Sequence, residues 1–435
     1  MDFKKSKSDV VCVSAVRTPF GRFGGAMRDI DIYDLGAIPM KNAMERIKLD
    51  PAVIDEVWWG NGDTTNTKDP YTPVVARQSM LKAGIPPEVP SVTFDQACIT
   101  AMDAAKYSMR SILANEAKIV MTGGSTSFST VPFLLRDIRW QGKRHSSFLV
   151  EDPLIPLGYK DYAPVAVDGG TVAVEYGVFR EEQDEFAHAS HLKYGKAWQK
   201  GFFKNELAPL ELKKNNGKNK SASSQLLEID EQYRADITLA ALAKLKPIYD
   251  NPTCTAGNAP GMNDGAAAQI LMKRETAEAL SLNILYTIIA MSSIALQPRL
   301  MAATPAFAIK KCLDTSGLKI GDMKYAEINE AFACVPLVSA KLLSNGRFLS
   351  SNYEKMVKEV SVGPILDNDP EKYINLKSRL NVNGGAIAIG HANTATGARL
   401  MMTAAYNLKG NGGGYAACGI CGGLAQGAGC IIWVE

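Results

Sequence analysis

The stretch SVTFDQACITAMDAAKYSMRSILANEAKIVMTGG, residues 91–124, decides the fold. Its β-branched start predicts a strand, and Cys98 follows directly after that strand. The next residues have the apolar spacing of a helix, and KIVMTGG predicts a second strand that ends in two glycines. A strand, a helix and a strand in succession are typical of an α/β protein.

A second stretch near the C-terminus, residues 381–423, repeats this order. His391 follows the glycine-rich NVNGGAIAIG and opens the helical pattern TATGARLMMTAAYNL, after which GYAACGICGG predicts a strand with a double glycine. Both stretches therefore present a reactive side chain at the start of a helix. This internal similarity predicts a duplicated fold with a site between the two halves.

Regular alternation of strands and helices also surrounds these stretches, with two exceptions. VVCVSAV at residues 10–16 predicts a strand, and YDLGAIPMKNAMERI predicts an amphipathic helix. Residues 128–250 lose the alternation and include the segment KKNNGKNKSASS at 213–224, for which we expect a solvated surface loop. Residues 343–378 have the composition of a polar insertion.

Composition narrows the class of protein. The chain has 435 residues, 46% hydrophobic and 21% charged, with a net charge of +3. These values are typical of a soluble globular protein of two or three lobes and give no reason to expect binding to nucleic acid or a membrane surface. Eight cysteines at scattered spacing indicate reduced thiols in the cytoplasm rather than a disulfide framework.

Two segments bear on targeting and membranes. The polar start MDFKKSKSD shows no secretory signal. Residues 410–434 lack any charge and are long enough to span a bilayer, but they hold nine glycines. That composition is poor for a transmembrane helix, so we expect buried strands and a loop there.

Three residues are candidates for chemistry, and each also has a structural explanation. Cys98 at a helix N-terminus would be favoured as a thiolate nucleophile, or it is simply a buried cysteine. His391 would accept the proton of Cys98, or it is a structural histidine. Asn329 in INEAFACVPL would cap a helix, or its amide would orient a water or a substrate carbonyl.

The stretch CGICGGLAQGAGC, residues 418–430, contains a C-x-x-C pair. Such a pair is compatible with a redox dithiol or with half of a zinc site. A zinc site needs two further ligands at suitable spacing, and the sequence shows no second C-x-x-C and no H-x-x-x-H. The glycines behind the pair instead indicate a loop whose backbone amides approach a substrate.

Taken together, these motifs resemble the thiolase family over nearly the whole chain. The matching segments occur in the family's order, and they are VSAVRTPFGRFGG, the strand followed by Cys98, TAGNAPGMNDGAAA, EINEAFA, NVNGGAIAIGH and the final C-x-G-x-x-Q-G. The resemblance implies an α/β fold, the duplicated five-layer αβαβα arrangement with an inserted loop domain. It divides the chain into an N-terminal half (1–127, completed by 252–281), a coenzyme A-binding loop domain (128–251) and a C-terminal half (282–435).

The resemblance also implies a role for each matching residue. Cys98 would take the acyl group as a thioester, and His391 would activate it. Asn329 would position a water in the oxyanion hole that His391 helps to form for the second substrate. Cys421 would move the α-proton, with Cys418 as its neighbour on the strand, and Gly423 would offer its amide, with that of Cys98, to the acyl-enzyme oxyanion.

The implied reaction is an acyl transfer, either condensation of two acetyl-CoA to acetoacetyl-CoA or its reversal by thiolysis. Coenzyme A would be substrate or product, with no other cofactor and no metal, and the family resemblance implies a cytoplasmic homodimer or homotetramer. Residues expected to contact coenzyme A or the acyl group are Arg234, Tyr249, Ala256, Pro260, Ala331 and Phe332.

This chain departs from the family pattern around the acyl and pantetheine pocket. HANTATG replaces the usual P-x-G-x-S-G after the histidine, and Pro260 stands where a serine is usual. Residues 165–171 lack the usual Met-Gly, and we expect Gly169 and Gly170 to leave volume at the acyl end. These changes predict that longer, branched or aromatic 3-oxoacyl-CoA substrates are accepted.

Other classes of function fit the sequence less well. Decarboxylating ketoacyl synthases and hydroxymethylglutaryl synthases share the implied fold but lack NEAFA and the second cysteine. A non-catalytic acyl-CoA-binding protein would not need Cys98, His391 and Cys421 together. A nucleotide-dependent dehydrogenase or ATPase would carry G-x-G-x-x-G or G-x-x-x-x-G-K-[ST], and neither occurs.

Overall fold

The structure is a computed structural model that describes residues 3–62, 74–136, 138, 140, 145, 147–155, 158–213 and 224–435. The surface loop predicted for 213–224 lies almost wholly outside the described residues. In the described part of the chain, no helix is both long and apolar enough to cross a membrane.

The strands alternate with helices, as an α/β fold requires. The strands are β1 (Val10–Arg17), β2 (Gly21–Arg22), β3 (Glu56–Asn61), β4 (Ser91–Phe94), β5 (Ile119–Thr126), β6 (Leu134–Leu135), β7 (Val150–Glu151), β8 (Leu210–Lys213), β9 (Ser224–Leu227), β10 (Asn263–Lys273), β11 (Tyr286–Ala295), β12 (Met323–Ile328), β13 (Gly414–Cys421) and β14 (Gln426–Val434). The helices are α1 (Ile32–Arg46), α2 (Val75–Lys82), α3 (Thr100–Leu113), α4 (Val165–Glu175), α5 (Arg180–Gln199), α6 (Leu239–Ala243), α7 (Arg274–Ala279), α8 (Thr304–Ser316), α9 (Cys334–Ser344), α10 (Gly346–Ser350), α11 (Tyr353–Val362), α12 (Pro370–Ser378), α13 (Ala386–Ile389) and α14 (Asn393–Gly410).

The large sheet consists of two halves that meet at a narrow seam. Its strand order is β12-β13-β14-β11-β1-β10-β5-β3-β4, with β2 added beside β10. Only two residue pairs join the halves, Val11 with Thr287 and Cys12 with Tyr286. The N-terminal half is therefore β1, β10, β5, β3 and β4, and the C-terminal half is β11, β14, β13 and β12.

Helices cover both faces of each half, which makes five layers. Helices α1 and α2 pack on the outer face of the N-terminal half, and α8 packs on the outer face of the C-terminal half. Helices α3 and α14 contact each other and lie between the two halves. The duplication predicted from the internal similarity and the five-layer αβαβα fold implied by the thiolase resemblance are confirmed, and the two helices that begin beside Cys98 and His391 form the central layer.

The alternation of β1 side chains shows why this strand is apolar throughout. Val11 and Val13 join the core under α1 and α2, whereas Val10 and Cys12 join the core around α3 and α14. Successive side chains of a strand point to opposite faces, so a strand covered on both faces buries every residue. All of β1 is buried.

The inserted regions contain more regular structure than their sequence predicted. Within 128–251 the described residues form α4, the long α5, α6 and two small two-stranded sheets, β6 with β7 and β8 with β9. The polar insertion at 343–378 consists of α10, α11 and α12. The charge-free C-terminal run forms β13 and β14, so the prediction of buried strands instead of a transmembrane helix is confirmed.

Candidate active site

Cys98 lies on a tight turn between β4 and α3. The amide of Ala97 donates to the carboxylate of Asp95 at 2.7 Å, and the amide of Gln96 donates to Thr100 Oγ1 at 2.8 Å. Ala97 adopts a φ of 51°, a conformation that costs free energy in a residue with a Cβ. The turn is therefore held in a strained shape that presents Cys98 just before the helix.

His391 is fixed by its backbone and by one ring nitrogen. Its amide donates to Asn263 Oδ1 at 2.9 Å, and the preceding Gly390 has a φ of 111°. Its Nδ1 lies 2.9 Å from Thr396 Oγ1, whose hydroxyl donates to the carbonyl of Ala392 at 2.8 Å. Because that hydroxyl proton is already used, Thr396 accepts from Nδ1–H, and Nε2 is left as the acceptor of a neutral imidazole.

The structure brings Cys98 and His391 together. His391 Nε2 lies 3.1 Å from Cys98 Sγ. Burial, reinforced by Asp95, raises the pKa of Cys98 to about 12, and burial together with the charge of Arg399 lowers the pKa of His391 to about 3. Both groups are therefore neutral at rest. The expectation that the helix N-terminus favours a thiolate at Cys98 is wrong, because burial outweighs it.

Asn329 lies beside the same imidazole. Its Nδ2 is 3.4 Å from His391 Nε2, and its Oδ1 is buried without a partner among the described residues. The alternative that Asn329 caps a helix is wrong, because α9 begins at Cys334 and its N-cap position is Ala333. The amide side chain is therefore free to face the reacting groups.

Glu330 connects three elements behind the imidazole, a role that the sequence did not suggest. Its carboxylate accepts from Ser190 Oγ at 2.8 Å, from Asn381 Nδ2 at 2.9 Å and from the amide of Ile387 at 3.0 Å. These bonds join α5, the end of β12 and the segment that leads to His391. Glu330 is thus a buried anchor for the histidine loop.

The two cysteines of the C-x-x-C pair point in different directions. Cys418 joins the core around α14, with its Sγ 3.7 Å from the carbonyl of Leu400, whereas Cys421 lines the cavity that contains Cys98. Residues three apart on a strand face opposite sides of the sheet. Because their side chains lie on opposite faces of the sheet, Cys418 and Cys421 cannot act as a redox pair that forms a disulfide, and both cysteines are free thiols.

Burial, followed by the neighbouring Cys98, raises the pKa of Cys421 above its ordinary value, so this thiol is also protonated at rest. In the described part of the chain, no cluster of three or more histidine, cysteine or carboxylate side chains could hold a metal ion.

Gly423 lies against the Cys98 turn and leaves no room for a side chain. A Cβ built on Gly423 would stand 2.1 Å from Tyr159 Oη and 3.3 Å from the Cβ of Ala97. The next residue, Leu424, has a φ of 52°, so the chain turns sharply after β13. The lack of a side chain therefore lets the Gly423 backbone lie against the turn that carries Cys98.

One cavity of about 550 Å³ contains these groups. Its wall includes Cys98, His391, Cys421 and Gly423. The residues predicted from the sequence to contact coenzyme A or the acyl group also line it, and they are Arg234, Tyr249, Ala256, Pro260, Ala331 and Phe332.

The expectation that Gly170 leaves volume at the acyl end is wrong, whereas a Cβ on Gly169 would make only ordinary contacts, among them Phe332 and Met301 of the cavity wall. Both glycines lie in α4, where Val165 and Ala166 line the cavity but the two glycines do not. A Cβ on Gly170 would stand 2.4 Å from Asn251 Oδ1, so this glycine allows close packing rather than leaving space.

The cavity also contains residues that the sequence did not single out, namely Phe128, Leu154, Tyr159, Met262 and Met301. Three of them lie in the irregular region after β5, where no periodicity indicates which side chains face inward.

Comparisons with known proteins identify the family of this chain. Residues 10–275 match the family model "Thiolase, N-terminal domain", and residues 282–434 match "Thiolase, C-terminal domain". A beta-ketoadipyl-CoA thiolase of Pseudomonas knackmussii is 35% identical, with 96% of this chain and 97% of the relative covered. A probable acetyl-CoA acetyltransferase of Escherichia coli is 34% identical over 92% of each chain.

A solved structure of a thiolase is also similar to this chain. The crystal structure of human mitochondrial 3-ketoacyl-CoA thiolase is similar with a TM-score of 0.84 and 31% identity, and the comparison covers 99% of this chain and 100% of that one. These findings confirm the resemblance predicted from the sequence motifs. The chain belongs to the thiolase family and is an acyltransferase that uses coenzyme A thioesters.

Proposed function

We propose that this protein catalyses the reversible thiolysis and Claisen condensation of acyl-CoA thioesters, with Cys98 as the nucleophile. The observation that carries the proposal is the 3.1 Å contact between Cys98 Sγ and His391 Nε2, in a cavity that Cys421 also lines. A nucleophile, its base and a second proton carrier are the groups that this chemistry needs.

The first half-reaction transfers an acyl group to Cys98. His391 Nε2 accepts the Cys98 proton as the sulfur attacks the carbonyl carbon, so the thiolate exists only during attack. The carbonyl oxygen gains negative charge, and the amides of Cys98 and Gly423 would donate hydrogen bonds to it. Each such donor is worth about 10²–10³ in rate.

The second half-reaction moves a proton at the α-carbon. In condensation the departing coenzyme A sulfur would take the proton of the Cys421 thiol, and the Cys421 thiolate formed in this way would remove the α-proton of the second thioester. In thiolysis the Cys421 thiol would protonate the departing enolate. The thioester oxygen of that substrate would receive hydrogen bonds from the Nε2–H that His391 gains from Cys98 and from a water held by Asn329. The position of Asn329 Nδ2, 3.4 Å from His391 Nε2, supports this role.

We propose acetyl-CoA and acetoacetyl-CoA as the first substrates to test. The second candidate is a longer, branched or aromatic 3-oxoacyl-CoA, and the cavity of about 550 Å³ with Val165, Met301 and Phe332 in its wall favours it. The relatives divide between these possibilities, since their names include acetyl-CoA acetyltransferase, beta-ketoadipyl-CoA thiolase and 3-ketoacyl-CoA thiolase.

The test is thiolysis of a substrate series when coenzyme A is added. The series contains acetoacetyl-CoA, a long-chain 3-oxoacyl-CoA, a branched one and beta-ketoadipyl-CoA, each followed by loss of the 3-oxoacyl-CoA. We expect turnover with at least one member and none in Cys98→Ser. Acyl-CoA binding without any turnover would replace this proposal with a non-catalytic binding function.

The organisation of the molecule forms part of the same proposal. We assign residues 1–127 with 252–281 to the N-terminal half, 128–251 to the coenzyme A-binding loop domain and 282–435 to the C-terminal half. We further propose a homodimer or homotetramer in the cytoplasm, which light scattering on the purified protein and localisation of a tagged chain would test.

A further inference from the structure

Tyr159 holds an unusual position in the cavity that contains Cys98. It lies in the irregular region between β7 and α4, and its side chain is 39% exposed. Its Oη stands 2.1 Å from the point where a Cβ on Gly423 would be, so the hydroxyl occupies the space directly over the Gly423 backbone. Cys98 and Cys421 line the same cavity as this hydroxyl.

The Tyr159 hydroxyl has no hydrogen-bond partner among the residues that the structure describes. The backbone carbonyl of Tyr159 accepts from the amide of Tyr162 at 3.1 Å, but that bond leaves the phenol free. Burial raises the pKa of Tyr159 to about 12, and Cys98, Asp95 and Cys421 act in the same direction. The phenol therefore keeps its proton across the physiological range and is available as a donor.

A free donor over Gly423 lies where negative charge develops in the proposed reaction. When Cys98 attacks the 3-oxo carbon of a 3-oxoacyl-CoA, the new carbon–sulfur bond forms and the carbonyl electron pair moves to the C3 oxygen. This oxygen is the one that the amides of Cys98 and Gly423 would hold. Collapse returns the electron pair, the C2–C3 bond breaks, and Cys421 protonates C2.

We propose that Tyr159 is a further catalytic residue, which donates a hydrogen bond from Oη to the C3 oxygen in thiolysis and to the same acyl-enzyme oxygen in condensation. The inference rests on the proposed function, since it assigns a donor to that reaction's first oxyanion. Two backbone amides would give a fixed pair of donors, and the phenol over Gly423 would add a third from the wall of the same cavity. Preorganised donors of this kind stabilise a transition state more than a bound ground state.

The alternative role for Tyr159 is to fill space, with the ring limiting the size of the acyl group. The two roles differ in what removal of the hydroxyl does. Tyr159→Phe keeps the ring and its volume and deletes only the donor. A donor role therefore predicts a fall in kcat, whereas a space-filling role predicts no change in kcat with the phenylalanine variant.

The experiment compares Tyr159→Phe with Tyr162→Phe in steady-state thiolysis. Tyr162 is 51% exposed, lies three residues further along the same segment and does not line the cavity, so it is the matched control. We expect kcat of Tyr159→Phe to fall roughly 10- to 100-fold, below the full effect of a lost oxyanion donor because two amides remain. We expect KM to stay within about threefold, because the lost bond acts in the transition state. Tyr162→Phe should match the wild type.

A second readout isolates the first half-reaction. The rate at which acetyl-CoA acylates Cys98, measured by mass spectrometry, should fall by the same factor in Tyr159→Phe and not in Tyr162→Phe. Wild-type kcat in Tyr159→Phe, or a change confined to KM, would overturn the assignment. Absence of turnover in the wild type across the whole substrate series would instead refute the proposed function, so the two failures are distinguishable.

Discussion

Inside an apolar cavity wall, Cys98 Sγ and His391 Nε2 lie 3.1 Å apart, and both groups are neutral. Transfer of a thiolate or an imidazolium from water into this wall costs more free energy than the nearby helix dipole contributes. Desolvation therefore keeps both Cys98 and His391 uncharged at rest. The thiolate therefore forms only when a substrate carbonyl is in place to receive the charge. This arrangement also limits side reactions of Cys98 with oxidants, which attack thiolates.

The neutral pair predicts how Cys98 reactivity depends on pH. With the pKa of Cys98 raised to about 12, alkylation by iodoacetamide should rise about tenfold per pH unit between pH 7 and 10, without a plateau. His391, with its pKa lowered to about 3, stays neutral over this range and adds no inflection. The measurement is mass-spectrometric alkylation of the Cys98 peptide, with N-acetylcysteine as the reference thiol. A plateau below pH 7 would show a resting thiolate–imidazolium pair instead.

At the scale of elements, the histidine depends on the glycine that precedes α14. Gly390 has a φ of 111°, and a Cβ there would stand 2.8 Å from the side chain of Asn263. The Oδ1 of Asn263 accepts a hydrogen bond from the His391 amide. Substitution must therefore shift either the backbone or Asn263, and both shifts displace the imidazole from Cys98.

We expect Gly390→Ala to lower the free energy of unfolding by about 1–3 kcal/mol and kcat for thiolysis by more than about tenfold. Gly410→Ala is the control, because Gly410 ends the same helix and a Cβ there meets nothing within 4 Å. Urea unfolding and thiolysis rates measure the two effects. Equal stability and rates in the two variants would show that the Gly390 conformation is not needed.

At the scale of the whole molecule, a buried charge cluster fastens the loop region to β1. Arg17 donates to Asp230 through Nη1 at 2.6 Å and Nη2 at 2.9 Å, and its Nε donates to Glu206 at 2.8 Å. The side chains of all three are fully buried or nearly so. Both carboxylates come from the region after β5, so the cluster couples that region to the central sheet.

Arg17→Met should lower the free energy of unfolding by about 3–5 kcal/mol, because two carboxylates would be left buried without a counter-charge. The control is Arg28→Met, whose ion pair with Asp29 is exposed, with side-chain exposures of 64% and 78%. Loss of that pair should cost less than about 1 kcal/mol. Urea unfolding measures both, and a small effect of Arg17→Met would mean that the loop region is held by other contacts.

The sequence predicted what local patterns determine. Strand and helix periodicity predicted the α/β class, the similarity between the Cys98 and His391 stretches predicted the duplication, and the resemblance of the motifs to the thiolase family implied the five layers. The sequence could not predict contacts between distant segments, such as Arg17 with Asp230 or Tyr159 with Gly423, because no local pattern encodes such contacts. The error at Gly170 has the same origin, since the space beside it is filled by Asn251 from another part of the chain.

The measurement that tests the central claim most directly is mass spectrometry of three cysteine variants after incubation with acetyl-CoA, combined with thiolysis rates. Cys421→Ser should still acylate Cys98 but lose condensation and thiolysis. Cys98→Ser should lose acylation and turnover, and Cys418→Ala, on the opposite face of β13, should keep kcat within about threefold. Turnover in Cys98→Ser, or loss of activity in Cys418→Ala with normal rates in Cys421→Ser, would contradict the account.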